Sequence, residues 1–356
     1  MNSKIKQLLD MAVANKASDV HLAVAMVPKL RVNGDLVEVT NFDAADDAVM
    51  AEMIMSMLNE KQKARLKSEK ELDLSVVNGQ TRFRANFFYQ KGMEACSMRT
   101  VPYDIPDFVE LKLPDIFSSF VDLKQGFVLV TGPTGHGKST SVASVLNKIN
   151  SKKSYHIVTI EDPVEYVIRP EKSIISQREV GTDTEGFGQA LRSCLRQDPN
   201  VVFVGEMRDL ETISSALTIA ETGHLVFSTL HTNSASQAID RIIDVFPEHS
   251  KDQIRVQLAS VISAVVSQRL IPGVYGGRVP AFEIMTATPA VRNCIREGKT
   301  FMIDNIIQTS YDLGMISLEA YLAKLIKQGE ISEENGMAYC TKPEDLHNRL
   351  RKTLKL

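Results

Sequence analysis

Between Gly132 and Thr140 the chain reads GPTGHGKST, and no other stretch restricts its fold and ligand as much. The core of this run fits G-x-x-x-x-G-K-[ST], a loop whose backbone N–H groups turn inward to wrap phosphates. Side chains would block that turn, so Gly132, Gly135 and Gly137 stand where a Cβ is unwelcome, with Pro133, Thr134 and His136 between them. Lys138 can reach the β- and γ-phosphates of a nucleoside triphosphate, Ser139 can put its hydroxyl on Mg2+, and Thr140 continues a helix whose positive end faces the anion. The flanks agree with this reading. Residues 126–131, GFVLVT, form a short β-rich apolar run, and Val142, Val145, Leu146 and Ile149 recur on one side of a helix.

The 356 residues, 44% of them hydrophobic, suffice for two cores. Ile5, Leu8, Leu9, Ala12 and Val13 follow helical spacing, and HLAVAMV begins a β-type region. KLRV-NG-DLVEV and LDLSVV-NG-QTRFRANFF each place Asn-Gly between strand-like runs, the strongest short hairpin signal, with a helical stretch from about Asp43 to Lys70 between them. Pro102, Pro106 and Pro114 punctuate a linker. Beyond it strands and helices alternate as far as HLVFSTL, which predicts a largely parallel sheet covered by helices. From about Thr288 the tail is helical. In TPAVRNCIREGK, helical spacing predicts a buried stripe of Ala290, Val291, Cys294 and Ile295, with Arg292, Asn293, Arg296 and Glu297 left to face other groups, as in an ordinary amphipathic helix with solvated charges.

A net charge of −3 argues against a dedicated nucleic-acid binder. The four cysteines lie far apart with no C-x-x-C pair, which fits a reducing compartment and neither a zinc loop nor a disulfide framework. No apolar run approaches the length of a membrane span.

Three further strand ends carry ionisable groups, where ligands of parallel sheets gather. Glu161, Asp162 and Glu165 follow HIVTI and can orient water or act as general base, although the same residues fit a solvated acidic turn. VVFVG delivers Glu206 just past its last apolar residue, where Walker B carboxylates lie in ATPases of this type. His224 and His231 bracket HLVFSTL, and either can sense a γ-phosphate, bridge to a neighbouring subunit, or be merely hydrogen-bonded.

In order and separation, GPTGHGKST, IEDPVEY, VVFVGEMRDLET and GHLVFSTLHT resemble the Walker A, Asp box, Walker B and His box of the secretion ATPase superfamily that drives type II secretion and type IV pili. QREVGTDTEGFGQALRSCLRQDPN, RIIDVFPEHSKDQIRVQLA, TPAVRNCIREGK and QTSYDLGMISLEAYL narrow the likeness to its pilus-retraction branch, which implies that TPAVRNCIREGK serves force coupling more than chemistry. His136 and Ser228 depart from the small residue and the glycine usual there, and Cys294 interrupts the C-terminal motif; the spacing is kept.

The resemblance implies an α/β fold: a PAS-like α+β domain over 1–100, a linker over 101–118, a RecA-like P-loop ATPase domain over 119–288 and a helical C-terminal region over 289–356. It implies an ATP hydrolase using ATP and Mg2+, a homo-hexameric motor for type IV pilus retraction and twitching motility. Its expected setting is cytoplasmic, peripheral at the inner membrane through a pilus platform protein, with a second retraction ATPase as a further partner and no direct contact with nucleic acid. Arg82 and Arg84, on one face of TRFRANFF by the period of two, and Arg99 would stabilise charge on the transferred phosphoryl group; without the resemblance they read as an exposed strand face. Glu161, Glu165 and Glu206, with His224 and His231, complete the expected catalytic set. An accessory retraction ATPase and a non-motor nucleotide-binding regulatory subunit stand as the alternatives.

Overall fold

The computed structural model describes residues 1–24, 26–32, 34–39, 42, 47–79, 81–101 and 104–351. The chain forms two compact units, the first Met1–Asp104 with Asp162–Val167 and Glu179–Thr184, the second Ile105–Glu161, Ile168–Arg178 and Glu185–Leu356. Two short segments, one holding most of IEDPVEY and one at the end of the strand Ile174–Glu179, thus belong to the first unit, a division that periodicity along the chain could not have drawn.

The first unit runs α1 (Ser3–Ala14), β1 (Asp19–Leu22), β2 (Lys29–Val32), β3 (Asp35–Glu38), α2 (Asp47–Met55), α3 (Glu60–Glu69), β4 (Glu71–Asn78), β5 (Thr81–Gln90) and β6 (Met93–Val101). Asn2 opens α1 by accepting the Ile5 N–H, and the helix buries Ile5, Leu8, Leu9 and Ala12. Val13, at the edge of the expected stripe, instead faces solvent at 41% exposed. The strands make one sheet in the order β3-β2-β1-β6-β5-β4, antiparallel through β2/β3 and β4/β5 as the hairpin signals require. At the two Asn-Gly turns, Asn33 and Gln80 lie outside the described residues. The single helical stretch expected from Asp43 to Lys70 is two helices. Asn59 breaks it by capping α3: its side chain accepts the Gln62 N–H while Gln62 accepts the Asn59 N–H. Residues 43–46 of that stretch are outside the described residues. On β5, Phe83, Ala85 and Phe87 are buried and Arg82 and Arg84 take the other face.

The second unit runs α4 (Ile116–Phe120), β7 (Gly126–Thr131), α5 (Lys138–Lys152), β8 (His156–Glu161), β9 (Ile174–Glu179), α6 (Phe187–Cys194), β10 (Val201–Val204), α7 (Leu210–Glu221), β11 (Leu225–Leu230), α8 (Ala235–Asp244), α9 (Glu248–Val261), β12 (Ile262–Pro272), β13 (Arg278–Thr286), α10 (Pro289–Arg296), α11 (Ile303–Thr309), α12 (Leu318–Lys327), α13 (Glu333–Tyr339) and α14 (Pro343–Arg351). Within the linker expected over 101–118, Val101 is the last residue of β6, Pro102 is outside the described residues, and α4 begins at Ile116. Residues 352–356 of the expected helical tail are likewise outside them.

Strand order is β13-β12-β7-β11-β10-β8-β9. β7, β11, β10 and β8 are mutually parallel neighbours and β12 runs parallel to β7, so the largely parallel sheet is present. β12 and β13, a long antiparallel pair on the far side of β7, extend it beyond the strands legible in the sequence. Every residue of β7 is buried, which places the strand feeding the phosphate loop inside the core. In the tail, α10 buries Val291, Cys294 and Ile295, but Ala290 is exposed. Arg292 is half-buried and faces backbone carbonyls. It donates to Ala287 O at 3.1 Å, between β13 and α10, and to Ser260 O at 2.8 Å and Ala259 O, satisfying carbonyls at the end of α9.

Candidate active site

The loop from Gly132 to Gly137 leaves the buried end of β7 and enters α5 at Lys138. At Gly132 a Cβ would sit 2.2 Å from the backbone oxygen of Gln268 on β12, so only glycine lets the loop pass that strand. Gly137, at φ +80° with Gln268 Nε2 2.9 Å from any added Cβ, closes the turn in the left-handed region. Thr131 and Ser267 share a 2.8 Å hydrogen bond and the Ser141 hydroxyl donates to Gln268 at 2.7 Å, so β12 braces both sides of the loop. None of these β12 partners was read from the sequence.

His136 has a structural task. β12 pairs with β7 only as far as Ser267 against Thr131, where β7 turns away into the loop. Leu270, three residues further on, then donates its N–H to His136 Nδ1 at 2.9 Å. The imidazole supplies an acceptor where the neighbouring strand has ended, and a buried amide without one is costly. Burial, and then the nearby Arg269, Lys138 and Arg278, hold His136 below the ordinary histidine range, in keeping with an unprotonated Nδ1. Arg278 also donates to Gly135 O at 3.0 Å.

Lys138 is 6% exposed, and its ammonium donates to Gly132 O at 2.8 Å and Pro133 O at 2.9 Å. His231 Nδ1 lies 3.5 Å from it, and 3.4 Å from the Thr134 hydroxyl. The other ring nitrogen of His231 faces Glu206 at 3.5 Å. Burial and Lys138 outweigh Glu206 and hold His231 below the ordinary histidine range. A neutral ring that accepts at Nδ1 and donates at Nε2 fits both neighbours. Glu206 is also paired with the exposed Arg208 at 2.6 Å, a contact that costs little to give up. The Thr229 hydroxyl donates to Gly205 O at 2.6 Å and so fixes the backbone beside Glu206. Glu283 on β13 accepts the Ala235 N–H at 2.8 Å and anchors α8 just beyond His231; burial pushes its carboxyl up to about 7.

The remaining expected residues are distributed. Glu161, the buried last residue of β8, accepts from Thr159 at 2.7 Å and from Gln177 at 3.2 Å. His224 stands at the amino end of β11, so strand length alone separates it from His231 by about 20 Å. It packs against its own turn, with Nδ1 3.0 Å from Ile219 O, and is not part of the loop cluster. Glu165, Arg82, Arg84 and Arg99 belong to the first unit. Glu165 and Arg84 are exposed. Arg99 is 73% exposed and paired with Asp19 at 2.9 Å, and Arg82 is held by Glu179 at 2.6 Å.

The loop's glycine cradle and its buried lysine fit a polyphosphate. Among the described residues no cluster of three or more histidine, cysteine or acidic side chains is arranged for a metal. Ser139 on the first turn of α5 suits Mg2+, which takes few protein ligands and completes its shell from water and substrate phosphates.

The chain is 45% identical to the Type IV pilus retractation ATPase PilT of Pseudomonas aeruginosa over 96% of its own length and 99% of that protein's. It is 35% identical to the Type IV pilus ATPase PilU of the same organism, over 96% and 90%. The crystal structure of the pilus retraction motor PilT with bound ADP superposes with a TM-score of 0.89 at 44% identity, covering 97% of this chain and 99% of that one. The model of the Type II/IV secretion system protein family matches residues 1–334, and the chain belongs to that family.

Proposed function

We propose that this chain is an ATP hydrolase that works as a homo-hexameric motor and powers retraction of type IV pili. The observation that carries the reading is the convergence of Lys138, His231 and Glu206 at the carboxyl ends of the adjacent parallel strands β7, β11 and β10. A lysine, a polar sensor and a carboxylate gathered at one edge of a parallel sheet are the parts that phosphoryl transfer to water requires.

Lys138 and the loop amides bind the β- and γ-phosphates, the lysine exchanging its loop carbonyls for phosphate oxygens. Ser139 would hold Mg2+, which when bound neutralises charge between those phosphates. Glu206 orients and deprotonates the attacking water, and His231 links Glu206 to Lys138. Glu165 supports the same water, and Arg82, Arg84 and Arg99 stabilise charge that develops in transfer. These last four lie in the first unit, so turnover requires that unit to meet a loaded phosphate loop, as assembly into a ring provides. Among the described residues no helix is long and apolar enough to cross a membrane, so in this reading a platform protein supplies the attachment to the inner membrane. The likeness to PilU supports an accessory retraction ATPase as the second reading.

Complementation separates these readings. Expressed in a strain lacking its main retraction ATPase, the chain is expected to restore fibre retraction by itself. Restoration only when the host's accessory ATPase is also present would favour the accessory role, and piliated, non-retracting cells despite ATPase activity in vitro would overturn the retraction assignment.

A further inference from the structure

Glu179 is 0% exposed, the most deeply buried charged side chain among the described residues of the first unit. Its Oε2 accepts from Arg82 Nη2 at 2.6 Å, from the Ser75 hydroxyl at 2.6 Å and from the Val164 N–H at 3.1 Å. Its Oε1 accepts from the Ser75 N–H at 3.0 Å and the Thr182 hydroxyl at 3.3 Å. One carboxylate therefore joins β4, β5, the segment 162–167 and the turn that follows β9. Burial works against its charge, yet the bonds from Ser75, Arg82 and Val164 prevail and hold the carboxyl below the ordinary glutamate range.

The hairpin itself does not need this centre. β4 and β5 are already paired from Glu71 against Phe88 to Asn78 against Thr81, and Phe83, Ala85 and Phe87 pack the other face. If only packing were required, an apolar residue would fill the site at lower cost than a desolvated ion pair. What Glu179 fixes is more particular. It takes the guanidinium of Arg82, whose Nε is buried without a hydrogen-bond partner among the described residues, and the backbone one residue before Glu165.

We propose that Glu179 is a positioning residue that sets Arg82 and the Glu165 segment in one rigid frame for phosphoryl transfer, leaving the exposed Arg84 as the mobile arginine. The proposal rests on the ATP-hydrolase reading above and deepens it. It divides the expected arginine pair by role: Arg82 is preset by a buried carboxylate and Arg84, on the same strand face, is free to move toward the charge it meets.

The test uses the full chain and the substitutions Glu179→Gln, Arg82→Ala and both together, measured for ATP affinity, kcat and thermal melting. Because the phosphate loop lies in the other unit, Glu179→Gln is expected to bind ATP within about twofold of the parent while kcat falls about ten- to a hundredfold, the range for a lost charge-assisted bond. In the Arg82→Ala background the same substitution should cost much less, since the two act as one. Rescue of kcat by Glu179→Asp, which restores the charge, would support positioning over packing. A parental kcat in Glu179→Gln, or losses that simply add in the double variant, overturns the proposal while leaving the ATPase reading intact. An Arg82→Ala variant at the parental rate also overturns it, and removes Arg82 from the mechanism. Should neither Glu179→Gln nor Glu179→Asp fold, Glu179 is a structural residue only and the proposal fails.

Discussion

Lys138 and Glu179 are both charged groups drawn out of water, and they are held in opposite ways. Lys138 rests on two carbonyls of its own loop at 2.8 and 2.9 Å, with His231 a looser 3.5 Å away. Glu179 is met by a guanidinium, two hydroxyls and two backbone amides, all but one within 3.1 Å. An ammonium on neutral carbonyls gains strongly when a phosphate arrives, so those contacts are made to be exchanged. A carboxylate with every acceptor site taken has nothing left to offer a ligand, and its value lies in what it keeps still. The first arrangement suits a binding site that cycles, and the second suits a scaffold that must not.

Removing each kind of group should therefore have a different signature. Lys138→Ala is the largest expected effect: steady-state phosphate release falls to background and ATP affinity collapses, while the melting temperature stays within about 4 °C of the parent because no apolar packing is lost. A folded Lys138→Ala protein that still turns over ATP would break the contrast at its stronger end. His136→Ser sharpens it at the weaker end. Without the imidazole the Leu270 N–H loses its acceptor and the loop its tether to β12, so KM for ATP should rise about three- to tenfold with kcat nearly unchanged. An unaltered KM would mean that the tether does not preset the loop.

The loop and its flanks were legible because the constraint is local. Glycines, lysine and serine must fall within nine residues, between a strand and a helix that announce themselves by β-branched run and apolar stripe. The β12/β13 pair was not legible for an equally local reason. α9 ends at Val261 and β12 begins at Ile262, with no glycine, proline or polar turn between them, so QIRVQLASVISAVV reads as one apolar-rich stretch. With β12 unseen, Gln268, Ser267 and Leu270 could not be named as the loop's partners. Spacing also misjudges the margins of a stripe, as Val13 and Ala290 show, because a helical face has edges that only its neighbour defines. His224 and His231 looked equivalent on either side of one strand, yet the ends of a strand open on opposite edges of the sheet. Glu179 was visible only as a letter in QREV, since its five donors come from sequence positions up to 104 residues away.

The central claim is that the cluster at the ends of β7, β10 and β11 hydrolyses ATP and does not merely bind it. The most direct test measures ATP binding and steady-state phosphate release side by side for the parent chain and for Glu206→Gln, which keeps the side chain's size and discards its charge. The account predicts a parent that turns over ATP and a variant that binds it with near-parental affinity while turnover falls by about two orders of magnitude or more. Equal turnover in both proteins, or a parent that binds ATP and releases no phosphate, would contradict it.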